Sequence, residues 1–397
     1  MSTGVKSIRL RKGLVLDKRP GTGNWQARIT ISGNRETQTT GTNDLEEAKE
    51  FAYDLFAEKK VRVKNNLPLS TRKFKRVAEH TIKRMQDDSA AGVGKQAYKD
   101  YIQALNKWHI PFFGKYDLDK IDFKNLEKFN AWRTTKAGKQ LAQSTINNHN
   151  AALERVFNEA ELNGWIHKAM RPTLMNKGIK AESRGSFSVQ EYKTLYTILR
   201  TWHKNTTNVQ QAATRQTLRN YVLILANTGV RHGTEALRLK WKNIEWVYRG
   251  GERFFALNVD GKTGKRQCIA RDRAEEFFWR QPQLNPKINA ENFEHLLEQK
   301  LDEKVFVTCL GEAAKLPNLN RAFKKLIDEQ DLYIGADGRQ RTLYSWRHFY
   351  ATRELERGMT AHALGKQMGT STKMIDANYS KYDVINNAAE HSGRKRR

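Results

Sequence analysis

Apolar and polar residues alternate along the first forty positions of the chain, which is the pattern of half-buried β-strands. The alternation covers residues 7–16, 24–32 and 35–40, with glycine-containing turns between these segments. Asn43 and Asp44 then offer helix N-cap chemistry, and the apolar residues that follow have helical spacing. Residues 1–64 are therefore expected to form a small domain made of a three-stranded sheet and one helix.

The rest of the chain shows mainly helical spacing of its apolar residues. Residues 65–176 are predicted to form a helical domain, and residues 177–397 a larger, mostly helical one. Within the larger domain, two short segments at 254–259 and 266–269 flank a turn rich in glycine and lysine and predict a β-hairpin. The predicted fold class is thus a multidomain, mainly α protein, with an N-terminal sheet and a small hairpin or sheet in the last domain.

Charge suggests what such a protein binds. The 397 residues include 71 Lys and Arg against 43 Asp and Glu, which gives a formal net charge of +28. An excess of this size points to a polyanionic partner, either nucleic acid or an acidic membrane surface. The basic residues are spread through all the predicted domains and no amphipathic anchor is evident, so nucleic acid is favoured.

The protein is expected to lie in the cytoplasm. No run of about 18 apolar residues predicts a transmembrane helix, and the first ten residues lack the apolar core of a secretion signal. Cys268 and Cys309 are too few for a disulfide framework or a four-ligand zinc site, which fits a reducing compartment.

Common nucleotide-binding and metal-dependent motifs are missing from the sequence. Gly261-Lys262-Thr263 ends like a phosphate-binding P-loop, but Ala256 occupies the position of the leading glycine and the context is a hairpin. The sequence has no His-Glu-x-x-His, no Cys-x-x-Cys and no dense carboxylate cluster for a two-metal nuclease. We therefore expect no cofactor, and phosphodiester chemistry here would be free of metal.

Three stretches of the last predicted domain carry residues suited to that chemistry. The first follows an apolar helix, the second is the predicted hairpin, and the third lies near the C-terminus. Their distinctive residues are, in chain order, Thr228, Gly229, Arg231, Glu235, Leu239, Trp241, Lys262, Lys265, Arg347, His348, Ala351, Thr352, Gly369 and Tyr379. In this order and spacing the sequence resembles the tyrosine recombinase (phage integrase) family, and the resemblance spans nearly the whole chain.

The resemblance implies an enzyme that cuts and rejoins DNA through a 3′-phosphotyrosine, without metal or ATP. It implies that Arg231 and Arg347 bind the scissile phosphate, that Lys262 protonates the leaving 5′ oxygen, and that Tyr379 is the nucleophile. Elementary chemistry agrees, because two planar guanidinium groups can hold the extra negative charge of a pentavalent phosphate.

The sequence departs from the family's pattern at two positions. Tyr344 stands where the family has a histidine that assists proton transfer, and a phenol is a poor general base at neutral pH. Thr370 stands where the family has His or Trp, and its hydroxyl can hydrogen-bond a phosphate oxygen. His348 could take over the chemical role of the missing histidine.

Several assignments leave alternatives open. Lys265 is a rival for the role of Lys262, and Tyr382, three residues after Tyr379, is the alternative nucleophile. Glu235 is expected to anchor a basic neighbour rather than to contact DNA.

The resemblance also implies two kinds of contact with double-stranded DNA. The N-terminal sheet resembles a domain that binds arm-type sites, and the two helical domains are expected to clamp core-type sites. Arg9 and Arg11 alternate with apolar residues, so they are predicted to share the polar face of the sheet. The candidate DNA-binding residues are Arg9, Arg11, Arg28 and Arg35 on the sheet, and Asn147 and Asn148 on the polar side of a helix.

Further expectations follow from the resemblance alone. They are a homotetramer on DNA, association with the nucleoid of a bacterial host, and integration or excision of a phage or genomic island. A host DNA-bending protein and an excisionase are possible partners. Two alternatives stay open: a non-catalytic DNA-binding regulator descended from a recombinase, which needs no Tyr379, and a type IB topoisomerase, against which the separate N-terminal domain argues.

Overall fold

The computed structural model describes residues 6–18, 23–65, 67, 69, 71–180, 182–261 and 264–378. The chain divides into two compact units, Met1–Ala181 and Glu182–Arg397. The first unit holds two separate apolar cores, one between a sheet and a helix and one among helices. The second unit is mostly helical around a small sheet. The predicted fold class is confirmed.

The first unit begins with an antiparallel sheet in the order β1-β2-β3-β4. Four strands are present where three were predicted, because the first predicted strand folds back at Lys12 and Gly13. Gly13 has a φ of +83°, and a Cβ atom there would lie 2.4 Å from the carbonyl oxygen of Thr30, so only glycine fits this turn. The strands are Lys6–Arg11 (β1), Leu14–Lys18 (β2), Gln26–Ile31 (β3) and Asn34–Thr39 (β4).

Helix α1, Leu45–Lys64, covers one face of this sheet. Its N-cap is Asp44, as predicted, whose side chain accepts hydrogen bonds from the first turn of the helix. The far end of α1 meets the helical part of the same unit, where the guanidinium of Arg62 forms a buried ion pair with Asp119.

The helical part of the first unit has a core rich in aromatic residues. Among its fully buried side chains are Phe74, Phe113 and Phe157, each at most 1% exposed. The helices are Phe74–Ala90 (α2), Tyr98–Ala104 (α3), Ile110–Phe113 (α4), Phe123–Ala137 (α5) and Gln143–Leu162 (α6), and a π-helical turn, Leu105–His109, joins α3 to α4.

The second unit contains eight helices and three strands within its described residues. The helices are Val189–Leu199 (α7), Val209–Thr228 (α8), Ala274–Trp279 (α9), Phe293–Glu298 (α10), Leu316–Asp328 (α11), Ser345–Glu356 (α12), Ala361–Met368 (α13) and Thr372–Asn378 (α14). The strands are Ile244–Arg249 (β5), Glu252–Gly261 (β6) and Gly264–Ile269 (β7). Strands β6 and β7 form the predicted hairpin, and β5 adds a strand that was not predicted, joined through the turn at Gly250-Gly251.

Helix α8 is the central helix of the second unit and is buried along its second half. It ends at Gly229, which has a φ of +67° and caps the helix. A Cβ atom on Gly229 would lie 2.3 Å from the ring of Tyr350, so helix α12 packs directly against the end of α8. This contact brings the residue after the turn, Arg231, close to the helix that carries Arg347.

No described helix in the chain is long and apolar enough to cross a membrane.

Candidate functional site

Arg231 lies in the turn that follows α8, and its position is fixed from two sides. Its backbone N–H and its Nη1 donate hydrogen bonds to the carboxylate of Glu235, at 2.9 and 2.5 Å. Its Nη2 donates to the carbonyl oxygen of Gly369, between α13 and α14. The side chain is 18% exposed, so it is not fully covered by these partners.

Arg347 lies on α12 and is only 2% exposed. Its Nη1 donates to the carbonyl oxygen of Gly229 at 2.6 Å, and its Nη2 donates to that of Met368 at 2.7 Å. The two arginines that the sequence singled out therefore meet at one place, where they bind successive peptide carbonyls at the end of α13.

Glu235 is the carboxylate that holds this group together. It is 1% exposed and accepts hydrogen bonds from Arg231 and, at 2.8 Å to each of its oxygens, from Arg266 on β7. Burial alone would raise the pKa of Glu235, but the bonds from Arg266 and Arg231 outweigh it and lower the pKa to about 2. The prediction that Glu235 anchors a basic neighbour is confirmed.

Arg266 was not singled out from the sequence. Besides Glu235 it contacts the end of α13, where its Nε donates to the carbonyl oxygen of Gln367 at 3.1 Å. Arg231 and Arg266 thus place two positive charges on one carboxylate, and Arg347 adds a third at the neighbouring carbonyl of Met368. This excess charge is the electrostatic condition for binding an anion.

The side chain of Gln367 on α13 forms hydrogen bonds with the backbone of strand β7. Its side-chain amide accepts a hydrogen bond from the N–H of Ile269 at 3.1 Å, and donates to the carbonyl of Ile269 at 2.5 Å and to the hydroxyl of Tyr350 at 3.0 Å. These bonds hold the carbonyls of Met368 and Gly369 in reach of the two arginines.

The hairpin of β6 and β7 reaches the same group of residues. The strands remain paired as far as Gly261 and Gly264, and a Cβ atom on Gly261 would lie 2.3 Å from Glu235 Oε1. Lys262 itself lies outside the described residues. Lys265 is exposed and follows the alternation of the strand, so its side chain is on the face opposite to that of Arg266.

Tyr344 is half-buried at the start of α12, one turn before Arg347. Its ring lies between two imidazoles, with ring centroids 5.9 Å from His232 and 5.3 Å from His348. Burial, followed by the positive charges of Arg347 and Arg339, lowers the pKa of His348 to about 4. Burial also lowers the pKa of His232. Both imidazoles are therefore neutral at pH 7.

An open cleft of about 560 Å³ borders Tyr344 and His232. Its lining residues include Arg184, Lys324 and Arg341, but most of the exposed lining surface is apolar, and Arg341 is paired with Glu191 and Lys324 with Asp328.

The two remaining catalytic candidates are Thr370 and Tyr379. Thr370 follows Gly369, is half-buried, and its N–H donates to the carbonyl of Gly365 at 2.9 Å. Tyr379 and the alternative Tyr382 lie outside the described residues, and α14 ends at Asn378, directly before Tyr379.

The basic residues of the N-terminal sheet do not all lie on one face. Arg9 on β1 and Arg28 on β3 lie on either side of Val15 on β2, in register with it. All three side chains are on the face turned away from α1. A β-bulge after Arg9 shifts the register, and the guanidinium of Arg11 lies 4.9 Å from the ring centroid of Phe56 on α1. The prediction that Arg9 and Arg11 share a face is therefore wrong.

The other candidates for DNA contact differ in their surroundings. Arg35 is exposed on the same face as Arg28, whereas Arg28 forms an ion pair with Asp17 at 3.0 Å. Asn147 on α6 is exposed and accepts a hydrogen bond from an asparagine amide, and Asn148 beside it is half-buried.

Across the described ranges, no three His, Cys, Asp or Glu side chains are grouped in a way that could hold a metal ion.

Comparison with known proteins identifies the fold. A family model described as the phage integrase SAM-like domain matches residues 73–179. The integrase of transposon Tn1549, solved in complex with transposon right end DNA, is 17% identical over 81% of this chain and 99% of its own, with a TM-score of 0.56. The XerH site-specific recombinase bound to difH is 17% identical over 83% of this chain and 99% of its own, with a TM-score of 0.55.

A lambda integrase dimer bound to a core site gives a similar result, with 15% identity over 95% of this chain and 98% of that chain, and a TM-score of 0.53. A search of curated protein sequences gives no match. At these identities the likeness shows the fold alone, which this chain shares with those two integrases and that site-specific recombinase.

Proposed function

We propose that this protein is a site-specific DNA recombinase that cuts and rejoins DNA through a 3′-phosphotyrosine, for integration and excision of a phage or genomic island. The observation that carries the proposal is the meeting of Arg231 and Arg347 at the carbonyls of Met368 and Gly369, within the fold of DNA recombinases. The nucleophile, Tyr379, follows that point by ten residues in the sequence.

The arginines stabilise the charge that develops on the phosphate. When a phenolic oxygen attacks, the non-bridging oxygens gain negative charge, and guanidinium groups can bind them in a planar, two-pronged geometry. Arg347 is held by α12 and by two carbonyls, and Arg231 by Glu235, so both groups are oriented before the substrate arrives. Preorganised charge of this kind costs little reorganisation in the transition state.

The remaining candidate residues supply the nucleophile and the proton donor of the reaction. The phenolic oxygen of Tyr379 releases its proton to solvent water and forms a bond to phosphorus, and the bond from phosphorus to the 5′ oxygen breaks. The ammonium of Lys262 gives the leaving 5′ oxygen its proton. The phosphotyrosine keeps the energy of the broken bond, so a new 5′ hydroxyl can displace Tyr379 without ATP. Tyr344 and Thr370 are placed in this scheme as hydrogen-bond donors to phosphate oxygens.

DNA binding is divided among three parts of the chain. Residues 1–64 bind arm-type sites through the sheet face that carries Arg9, Arg28 and Arg35. Residues 65–176, with Asn147 and Asn148, and residues 177–397 clamp the core-type site. The active form is a homotetramer on DNA, and a host DNA-bending protein and an excisionase set the direction of the reaction.

Covalent trapping tests the proposal. Wild-type protein is incubated with DNA of its host, the mixture is denatured, and the DNA bound covalently to protein is sequenced. A nicked duplex carrying the recovered site should then give a protein–DNA adduct with the wild type and none with Tyr379→Phe. An adduct that persists in Tyr379→Phe would move the nucleophile to another residue, and Tyr382→Phe tests the nearest one.

The same assay separates the alternative functions. A DNA-binding regulator binds the recovered site by gel shift but forms no adduct. A type IB topoisomerase relaxes supercoiled plasmids of any sequence, whereas the recombinase exchanges strands only between its own sites.

A further inference from the structure

A second group of arginines lies on the second unit, away from the candidate catalytic residues. Arg219 is on α8, Arg273 and Arg280 lie at the two ends of α9, and Arg200 follows α7. We call these four residues the arginine cluster. Arg219 lies nine residues before the end of α8 at Thr228, which places it about 14 Å along the helix from that end at ~1.5 Å per residue.

Aromatic rings hold two of these arginines in place. The guanidinium of Arg273 lies 5.2 Å from the ring centroid of Tyr196 on α7, and that of Arg280 lies 5.2 Å from the ring centroid of Phe277 on α9. The two rings are themselves neighbours, with centroids 6.3 Å apart. Stacked guanidinium groups lose less freedom when they bind a ligand, because their orientation is already restricted.

The cluster carries more positive charge than its surroundings neutralise. Within the described residues, one carboxylate forms an ion pair with the arginine cluster. It is that of Glu276, which binds Arg280. Burial, followed by repulsion from Arg280 and Arg200, lowers the pKa of Arg219. Partial burial would raise the pKa of Tyr196, but bonding to Arg273 and Arg280 outweighs it and lowers that pKa.

Two N–H groups in the cluster have no hydrogen-bond acceptor. They are Nε of Arg219 and Nη1 of Arg280, and both atoms are buried in the part of the unit that the structure describes. A buried donor without an acceptor is costly, and like charges held close together are costly too. An anion with several acceptor oxygens relieves the repulsion, and it reaches these N–H groups when the partly exposed side chains of Arg219 and Arg280 turn towards it. A phosphate group matches guanidinium geometry best.

We propose that Arg219, Arg273 and Arg280 form a phosphate-binding site, with the hydroxyl of Tyr196 as a further donor. The site shares no residue with the candidate catalytic group around Glu235. A phosphodiester of duplex DNA and free inorganic phosphate present the same oxygens to it. The proposal does not depend on recombinase activity, since its readouts are binding and stability.

The experiment compares the full-length double variant Arg219→Gln/Arg280→Gln with a matched control. The control, Arg249→Gln/Lys287→Gln, removes the same charge at two exposed positions of the same unit. Thermal unfolding is measured in sodium chloride and in sodium phosphate at equal ionic strength. Binding to a duplex of arbitrary sequence is measured over a range of salt concentrations.

If the site binds free phosphate, replacing chloride by phosphate raises the Tm of the wild type and of the control. The cluster variant loses most of this rise in Tm. With a site for the DNA backbone, the cluster variant binds duplex more weakly than the control. Its log–log salt slope is then smaller by about 0.9 for each DNA phosphate that the variant no longer neutralises. In either case the Tm of the cluster variant in chloride is at least that of the wild type, because repulsion is relieved.

Two outcomes overturn the proposal. One is a cluster variant that matches the control in both phosphate stabilisation and duplex binding. The other is a cluster variant with a lower Tm in chloride and an undiminished response to phosphate, which would mean that the arginines only pack against the rings. Strand cleavage is assayed in parallel, so that a failure of the proposed function is seen separately.

Discussion

Arg231 and Arg347 lie far apart in the sequence, yet their guanidinium groups donate hydrogen bonds to successive carbonyls, those of Gly369 and Met368. Three separate features produce this meeting. The turn at Gly229 packs against α12, Glu235 and Arg266 fix the segment after α8, and Gln367 fastens α13 to β7. The arginine pair is therefore a product of the whole unit rather than of one local motif.

Arg347→Ala should slow strand cleavage strongly while DNA binding is largely kept. The interaction of a guanidinium with phosphate strengthens as negative charge develops, so we expect a loss of about 10²- to 10³-fold in the cleavage rate. The carbonyls of Gly229 and Met368 also lose their donor, which should reduce the free energy of unfolding by about 1–3 kcal/mol. Single-turnover cleavage and urea unfolding measure the two effects.

Arg353→Ala on the same helix is the matched control, because that side chain is one-third exposed and pairs with Glu356 at the surface. It should cleave at close to the wild-type rate. Cleavage by Arg347→Ala at the rate of this control would show that Arg347 has no role in the chemistry.

Glu235→Gln should destabilise the second unit at neutral pH. The pKa of Glu235 is held at about 2, below the ordinary value of 4.5, so the stabilisation from its charge is complete above pH 4.5 and is lost as the pH falls towards 2. A shift of this size corresponds to about 3 kcal/mol as an order of magnitude. Urea unfolding between pH 7 and pH 3 should show a flatter dependence in the variant. The same dependence in both proteins would contradict the role given to Glu235.

Two buried histidines should make the helical part of the first unit sensitive to acid. Burial, then the nearby charge of His149, lowers the pKa of His109 to about 3. Burial, then Arg133, lowers that of His149 to about 4. The unfolded chain binds protons below pH 6.5 and the folded chain does not, so stability falls as the pH drops below 6.5. At pH 5 the loss is about 2 kcal/mol for each histidine.

Hydrogen exchange of the α5 and α6 amides at pH 7 and pH 5 measures this effect, after correction for the intrinsic exchange rate. His149→Gln should remove about half of the acid sensitivity, and His362→Gln at an exposed position should leave it unchanged. Equal sensitivity in all three proteins would mean that other groups cause it.

Removal of residues 1–64 should abolish binding to arm-type DNA and spare binding to core-type DNA. The deletion also removes Arg62 and leaves the buried carboxylate of Asp119, 2% exposed, without its partner. A carboxylate that keeps part of its burial but loses its ion-pair partner is destabilising, so the deleted protein should be less stable. Adding Asp119→Asn should recover part of that stability. Loss of both kinds of binding in the stabilised deletion would contradict the division of the DNA contacts.

Local patterns in the sequence were sufficient to predict much of the fold. Alternation and helical spacing predicted the class, Asp44 marked the start of α1, and the lysine-rich turn marked the hairpin of β6 and β7. The break at Gly13 was missed because the alternation continues through it. The face of Arg11 was missed because a β-bulge changes the register without any change in the pattern of residue types.

The sequence predicted those residues of the candidate site that belong to a motif with characteristic spacing. Arg231 and Arg347 were found in that way, and the structure brings them together. Arg266 and Gln367 act through contacts with residues distant in the sequence, which leave no periodic signal. Lys262 and Tyr379 remain predictions.

The central claim is that two guanidinium groups stabilise the charge on one phosphate, and neutral substrates test it most directly. Wild type, Arg231→Ala and Arg347→Ala are given a nicked duplex whose scissile linkage is either a phosphodiester or an uncharged methylphosphonate, and adduct formation is followed in single turnover. Each arginine variant should lose cleavage of the phosphodiester and regain much of it on the methylphosphonate. An equal loss on both linkages would show that the arginines do not act through the charge of the phosphate.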